Sequence, residues 1–212
     1  MEKTPPASKH IHEKIKIAIS GAAKTDFLPQ GVLDSVEIVG GEIARQGAIM
    51  ISGATTGIPL WAAKGCKDAG GFSIGISPAF NEAEHVDYYG LPLDYLDLTI
   101  YTGLGYPGRD ILMIRTADAI VIGPGRVGTL HEFTVAFEDN KPIGILTSSE
   151  WETDDIIKLI IEKSHRAEDN KKVIYDADPK KLVKRLIDLI KIDKAAVHEP
   201  VPGASTQPAK GM

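Results

Sequence analysis

The strongest constraint on the fold is an alternation of two patterns along the chain. Short apolar runs, KIAIS (16–20), AIMIS (48–52), FSIGIS (72–77), LDLTIY (96–101), DAIVIG (118–123), PIGILT (142–147) and KVIYD (172–176), read as strands. Between and after them lie segments whose apolar positions recur at helical spacing: 31–46, 59–70, 108–117, 129–139, 154–165 and 179–192. Runs this short with little polar alternation suit strands buried on both faces, and strands separated by helices are joined in parallel rather than as hairpins. The pattern predicts an α/β fold, a doubly wound parallel sheet with helices on both faces. A length of 212 residues fits one such domain better than two. It is placed over residues 15–194, with a flexible N-terminus (1–14) and a disordered C-terminal tail (195–212), both poor in apolar residues.

Composition narrows the partners. A formal charge of −5 argues against a general nucleic-acid or membrane-surface binder, so an anionic ligand would need a local site. The single cysteine, Cys66, excludes an internal disulfide framework, and its place in WAAKGCKDAGG predicts a buried structural thiol. No zinc-ligand spacing appears, no apolar run reaches membrane-spanning length, and MEKTPPASKH lacks a signal core. The expectation is a reduced, cytoplasmic protein without metal or cofactor.

In an open parallel sheet, ligands bind beyond the carboxyl ends of the strands. Three strand ends here run into small residues: Ser20-Gly21-Ala22-Ala23, Ser52-Gly53-Ala54-Thr55-Thr56-Gly57, and Gly123-Pro124-Gly125-Arg126-Val127-Gly128-Thr129. Glycine lets backbone approach a ligand, the following helix start offers unpaired N–H groups, and Thr55, Thr56 and Thr129 add neutral donors. A tight strand-to-helix turn needs glycine anyway, but three on one sheet edge point to an anionic, nucleotide-like ligand. Gly123, Gly125 and Gly128 also spell the dinucleotide fingerprint, with Glu150 placed 22 residues after Gly128. That fingerprint belongs on a first strand, however, and too little chain follows for the rest of a dinucleotide enzyme.

Glu132 and Arg109 stand out. Thr129-x-x-Glu132 has the form of a capping box, yet a first-turn carboxylate also leans back toward any ligand on the glycine turn. Arg109, in YPGRDIL, opposes the dipole of the helix it begins unless an anion faces it. Asp110 could be that anion as a plain surface pair; a bound phosphate or Glu132 are the alternatives. Arg115 reads as solvated, His131 as a surface residue, and His85 as part of a long connection (78–95) that could rim the site.

These residues resemble the Lonely Guy (LOG) family, within the wider Rossmann-like SLOG group. The family's P-G-G-x-G-T-x-x-E is similar to Pro124–Glu132, and Arg109 lies 23 residues before Glu132, the family's spacing for its arginine. ISGAAKTDF, Gly53–Pro59 and AAKGCKDAGGFSIGISP resemble its other turns, so the likeness covers about residues 15 to 165. The resemblance implies cleavage of the N-glycosidic bond of a nucleoside 5′-monophosphate to base and ribose 5-phosphate, in a homodimer or larger homo-oligomer. Glu132 and Arg109 would be catalytic. Gly125, Arg126, Val127, Gly128 and Thr129 would hold the phosphate, with Gly21, Ala22, Gly53, Thr55, Thr56 and Gly57 completing the pocket. Three departures stand out: Arg126 replaces a motif glycine, Thr55-Thr56 replace glycines, and Asp110 replaces a lysine. Divergent branches of the group include a molybdenum-cofactor carrier and proposed nucleotide sensors. A non-catalytic carrier or sensor of a nucleotide-like ligand is therefore the alternative.

Overall fold

The computed structural model describes residues 14–166 and 170–198. Seven parallel strands form one sheet: β1 (Lys16–Ser20), β2 (Ile49–Ser52), β3 (Ser73–Ser77), β4 (Leu98–Tyr101), β5 (Ala119–Ile122), β6 (Ile143–Leu146) and β7 (Val173–Asp176). Their order is β4-β3-β2-β1-β5-β6-β7. Six α-helices connect or follow them: α1 (Gln30–Arg45), α2 (Ile58–Asp68), α3 (Gly105–Thr116), α4 (Val127–Glu138), α5 (Thr153–Ser164) and α6 (Pro179–His198). A short π-helical turn, Glu84–Tyr88, interrupts the connection from β3 to β4. The doubly wound Rossmann-like sheet is thus as the sequence pattern predicts.

Both faces of the sheet are covered over its central strands, which is why those strands are predominantly apolar. Ile17 and Ile19 of β1 pack with Met50 and Val121 against α1, α2 and α6 through Val36, Ile43, Ile58, Cys66, Leu182 and Leu186. Ala18, one residue out of phase, joins Ile51, Ile120 and Ile122 under Met113 of α3, Phe133 of α4 and Ile157 of α5. Cys66 is fully buried, as expected, and burial pushes its thiol up to about 11.

Strands β1 to β4 run outward on one side of β1, whereas β5 returns to its other side. The strand order therefore reverses between β1 and β5, and the helices departing on either side leave a crevice at their carboxyl ends. Register places Ser20, the last residue of β1, opposite Ile122, the last of β5. No helix among the described residues is long and apolar enough to cross a membrane. The expectations for residues 1–14 and 195–212 lie almost wholly outside the described residues, except that α6 continues to His198.

Candidate functional site

The three glycine turns meet at this crevice. Ala22 N–H donates to Pro124 O at 2.8 Å and Gly123 N–H to Ser20 O at 2.9 Å, joining the first turn to the third. Ile58 N–H donates to Ala22 O at 2.9 Å and ties in the second. Above them opens a cavity of about 370 Å³, walled by Gly21 to Lys24, by Gly53, Thr55 and Pro59, by Tyr106, Arg109 and Asp110, and by Arg126, Gly128, Thr129 and Glu132. The predicted residues Gly21, Ala22, Gly53, Thr55, Arg109, Arg126, Gly128, Thr129 and Glu132 are thereby brought together.

Four predicted residues do not line the cavity. The Thr56 hydroxyl donates to Ala23 O at 2.8 Å, holding two turns together. Gly57 turns the chain into α2 at φ +72°, and a Cβ there would strike the Ala22 and Ala23 backbone. Gly125 N–H donates to Thr153 Oγ1 at 2.8 Å, so it is engaged by α5. Val127 is the exposed first residue of α4.

The capping box is not formed. Helix α4 starts at Val127, with Arg126 as an extended N-cap that makes no side-chain capping bond. Thr129 falls inside the first turn and Glu132 beyond it. Leu130 N–H is bonded to Arg126 O at 3.0 Å, whereas the N–H groups of Val127, Gly128 and Thr129 have no acceptor among the described residues. An uncapped helix start carries partial positive charge, and Gly128 and Thr129 present it to the cavity.

The charged residues facing this helix start are buried. Arg109 is 5% exposed and Asp110 6%. The Arg109 guanidinium lies on the turn after β2, where a Cβ on Gly53 would come within 1.3 Å of Nη1. Gly53 is therefore a seat for the arginine as well as part of a ligand turn. Arg109 Nε stands 3.1 Å from Asp110 Oδ1, an ion pair without hydrogen-bond alignment. Arg109 and Asp110 thus pair inside the site and not as a plain surface pair. Asp110 Oδ2 lies 3.0 Å from His131 Nδ1, so half-exposed His131 touches the cluster rather than solvent alone.

Glu132 is 8% exposed. The Ser20 hydroxyl donates to its Oε2. Burial, then the charge of Asp110, push its pKa up to about 7; Arg109 and the Ser20 hydroxyl pull the other way. Arg126 is held at the cavity wall with its guanidinium carbon 4.6 Å from the Phe27 ring centroid. Among residues left out of the sequence-based set, Asp110, Ser20, Lys24 and Tyr106 all stand at or beside the cavity. His85 has no part in it. It is fully buried between Ser77 Oγ at 2.8 Å and Pro92 O at 3.1 Å, anchoring the 78–95 connection. Arg115 is an exposed partner of Asp139.

The arrangement offers an anion seat beside a cation and two carboxyl groups that flank one another. Similar proteins share its scaffold. A molybdenum cofactor carrier protein from Chlamydomonas reinhardtii is 26% identical, with a TM-score of 0.67 over 84% of this chain and 99% of that chain. A molybdenum cofactor binding protein from Rippkaea orientalis, 24% identical, matches with a TM-score of 0.65 over 84% of this chain and 98% of its own, a likeness of fold. An uncharacterised Archaeoglobus fulgidus protein is 30% identical over 108 residues, which span 51% of this chain and 66% of that relative, just under two thirds of it. The sequence pattern of the SLOG cluster4 family matches residues 14–183, and the chain belongs to that family.

Proposed function

We propose that this protein is a cytoplasmic phosphoribohydrolase that cleaves the N-glycosidic bond of a nucleoside 5′-monophosphate, releasing base and ribose 5-phosphate. One observation carries the proposal: Arg109 and Glu132, far apart in sequence, enter the same cavity as the uncapped start of α4. The phosphate would sit on Gly128 and Thr129, where backbone N–H groups and the helix dipole receive an anion without a fixed counter-charge. A phosphate seated there would put the ribose toward Glu132 and the base toward Arg109 and Tyr106. Departure of the base leaves positive charge on the sugar, and a carboxylate held beside it stabilises charge that develops only in the transition state. Arg109 would steady the base as it accepts the bonding electrons.

A carrier of a nucleotide-like ligand is the second reading. It is supported by the likeness to the Chlamydomonas carrier and by Arg126, a bulky cation where the LOG motif has glycine. The two readings separate in one experiment: ribose 5-phosphate release from a panel of nucleoside monophosphates, run beside Arg109→Ala and Glu132→Gln. Hydrolysis predicts release that falls by about a hundredfold or more in both variants, with binding largely kept by Glu132→Gln. A wild type that releases nothing, yet is stabilised against heat by the same nucleotides, sinks the hydrolase in favour of the carrier.

A further inference from the structure

The structure assigns Asp110 and Glu132 to a single acid–base unit that holds one proton between its two carboxyl groups, with His131 linking that proton to solvent. The assignment rests on the hydrolase reading and adds to it a source for the proton that the departing base needs.

The geometry supports it in three ways. First, both carboxyls are more than nine-tenths buried and line the same cavity. The buried cation beside them is Arg109, whose Nε lies 3.1 Å from Asp110 Oδ1. One guanidinium balances one carboxylate, and a second carboxyl buried in the same cavity holds its proton instead. Second, the Ser20 hydroxyl donates to Glu132 Oε2 and fixes that carboxyl's orientation in the cavity wall. Third, Asp110 Oδ2 faces His131 Nδ1 at 3.0 Å, while the imidazole is 39% exposed, so the chain of polar atoms leads outward. The other charged or titratable groups on the cavity wall are Lys24, Arg126 and Tyr106.

The step balances with no other reactant than water. As the C1′–N bond breaks, its electron pair goes to the base nitrogen and the shared proton moves to a ring nitrogen of the departing base. The unit, now carrying two negative charges, faces the oxocarbenium-like sugar. Water adds its oxygen to C1′ and returns one proton to the carboxyl pair. The unit ends as it began, and His131 equilibrates it with solvent between turnovers. Burial keeps Glu132 protonated to near neutral pH, which suits a general acid working there.

The test couples a titration to a rate. In protein carrying 13C-labelled glutamate carboxyls, the Glu132 signal is identified by its loss in Glu132→Gln and followed against pH in wild type and Asp110→Asn. The shared proton predicts a wild-type midpoint near neutrality that falls by about one unit or more in Asp110→Asn. On the best nucleoside monophosphate, kcat of Asp110→Asn drops by about a hundredfold, KM changes little, and the alkaline limb of the pH–rate profile moves acidward with the midpoint. His131→Ala loses turnover that added imidazole restores, which a merely structural histidine would not allow. A Glu132 midpoint in the ordinary carboxylate range, or one that Asp110→Asn leaves in place, overturns the assignment. So does an active wild type whose rate and profile survive Asp110→Asn, although the hydrolase reading then stands. If the wild type turns over no nucleoside monophosphate while the titration behaves as described, the hydrolase reading fails and the catalytic assignment falls with it; the shared proton alone remains.

Discussion

At the scale of single residues, Glu132 sets the burial of a charge against stability. Its folded pKa of about 7 stands above the ordinary 4.5, so between those values the folded state binds the proton more tightly than the unfolded chain does. Stability therefore declines as pH rises through that window, and above it the buried carboxylate costs on the order of 3 kcal/mol. Glu132→Gln keeps an acceptor for Ser20 and removes the ionisation. It should match wild type in Tm near pH 4.5 and exceed it by several degrees at pH 8. Calorimetry at the two pH values checks this; an equal Tm at pH 8 would show that Glu132 is not held above its usual range. Arg109 and Glu132 were legible in the sequence because each sits at a strand-to-helix junction with a chemistry that the junction does not need. Asp110 was not, because its burial arises where α3 and α4 bring it against His131, 21 residues away in the chain. No local pattern signals that.

At the scale of elements, the packing of α1 on α2 is fixed by two glycines. A Cβ on Gly40 would come within 1.8 Å of Ala62 O, and one on Gly65 within 1.9 Å of Glu37 O. The neighbours are backbone, so neither helix can yield by moving a side chain. Gly40→Ala should destabilise the fold by at least about 1–3 kcal/mol despite the better helix propensity of alanine. Gly31→Ala, on the same helix with nothing within 4 Å, should be neutral or stabilising. Urea denaturation of both variants checks the contrast; equal effects would mean that the helices do not touch through Gly40. The order of strands and helices was legible because each strand is apolar on two faces and each helix on one. Boundaries were less so. Helix α3 begins at Gly105 rather than 108, since Pro107 falls in a first turn where its missing N–H costs nothing. Helix α4 begins at Val127 because Arg126, and not Thr129, takes the cap position. The π-helical turn at Glu84–Tyr88 left no periodic signal.

At the scale of the whole molecule, one edge of the sheet is left apolar and open. Strand β4 ends the sheet with Leu98 and Ile100 nearly half exposed, and the segments around it expose Phe80, Tyr88 and Leu104. Helix α3 turns Arg109 and Asp110 inward but leaves Ile111 and Leu112 partly exposed. An open apolar edge beside an apolar helix is suited to association, since isolated chains protect such edges with charge, proline or cover. We predict self-association through this face, which would bring a second copy to the rim of the cavity at Tyr106, itself 44% exposed and lining the site. Two charges placed there, Ile100→Lys and Leu112→Glu together, should convert a dimer or larger species to monomer in sedimentation velocity without lowering Tm by more than a few degrees. Because Tyr106 stands where the base would lie, the monomer should lose affinity for nucleotide more than it loses turnover at saturation. A wild type that sediments as a monomer at micromolar concentration would refute the interface. A monomeric variant with unchanged KM would instead separate association from the site, leaving each cavity complete within its own chain.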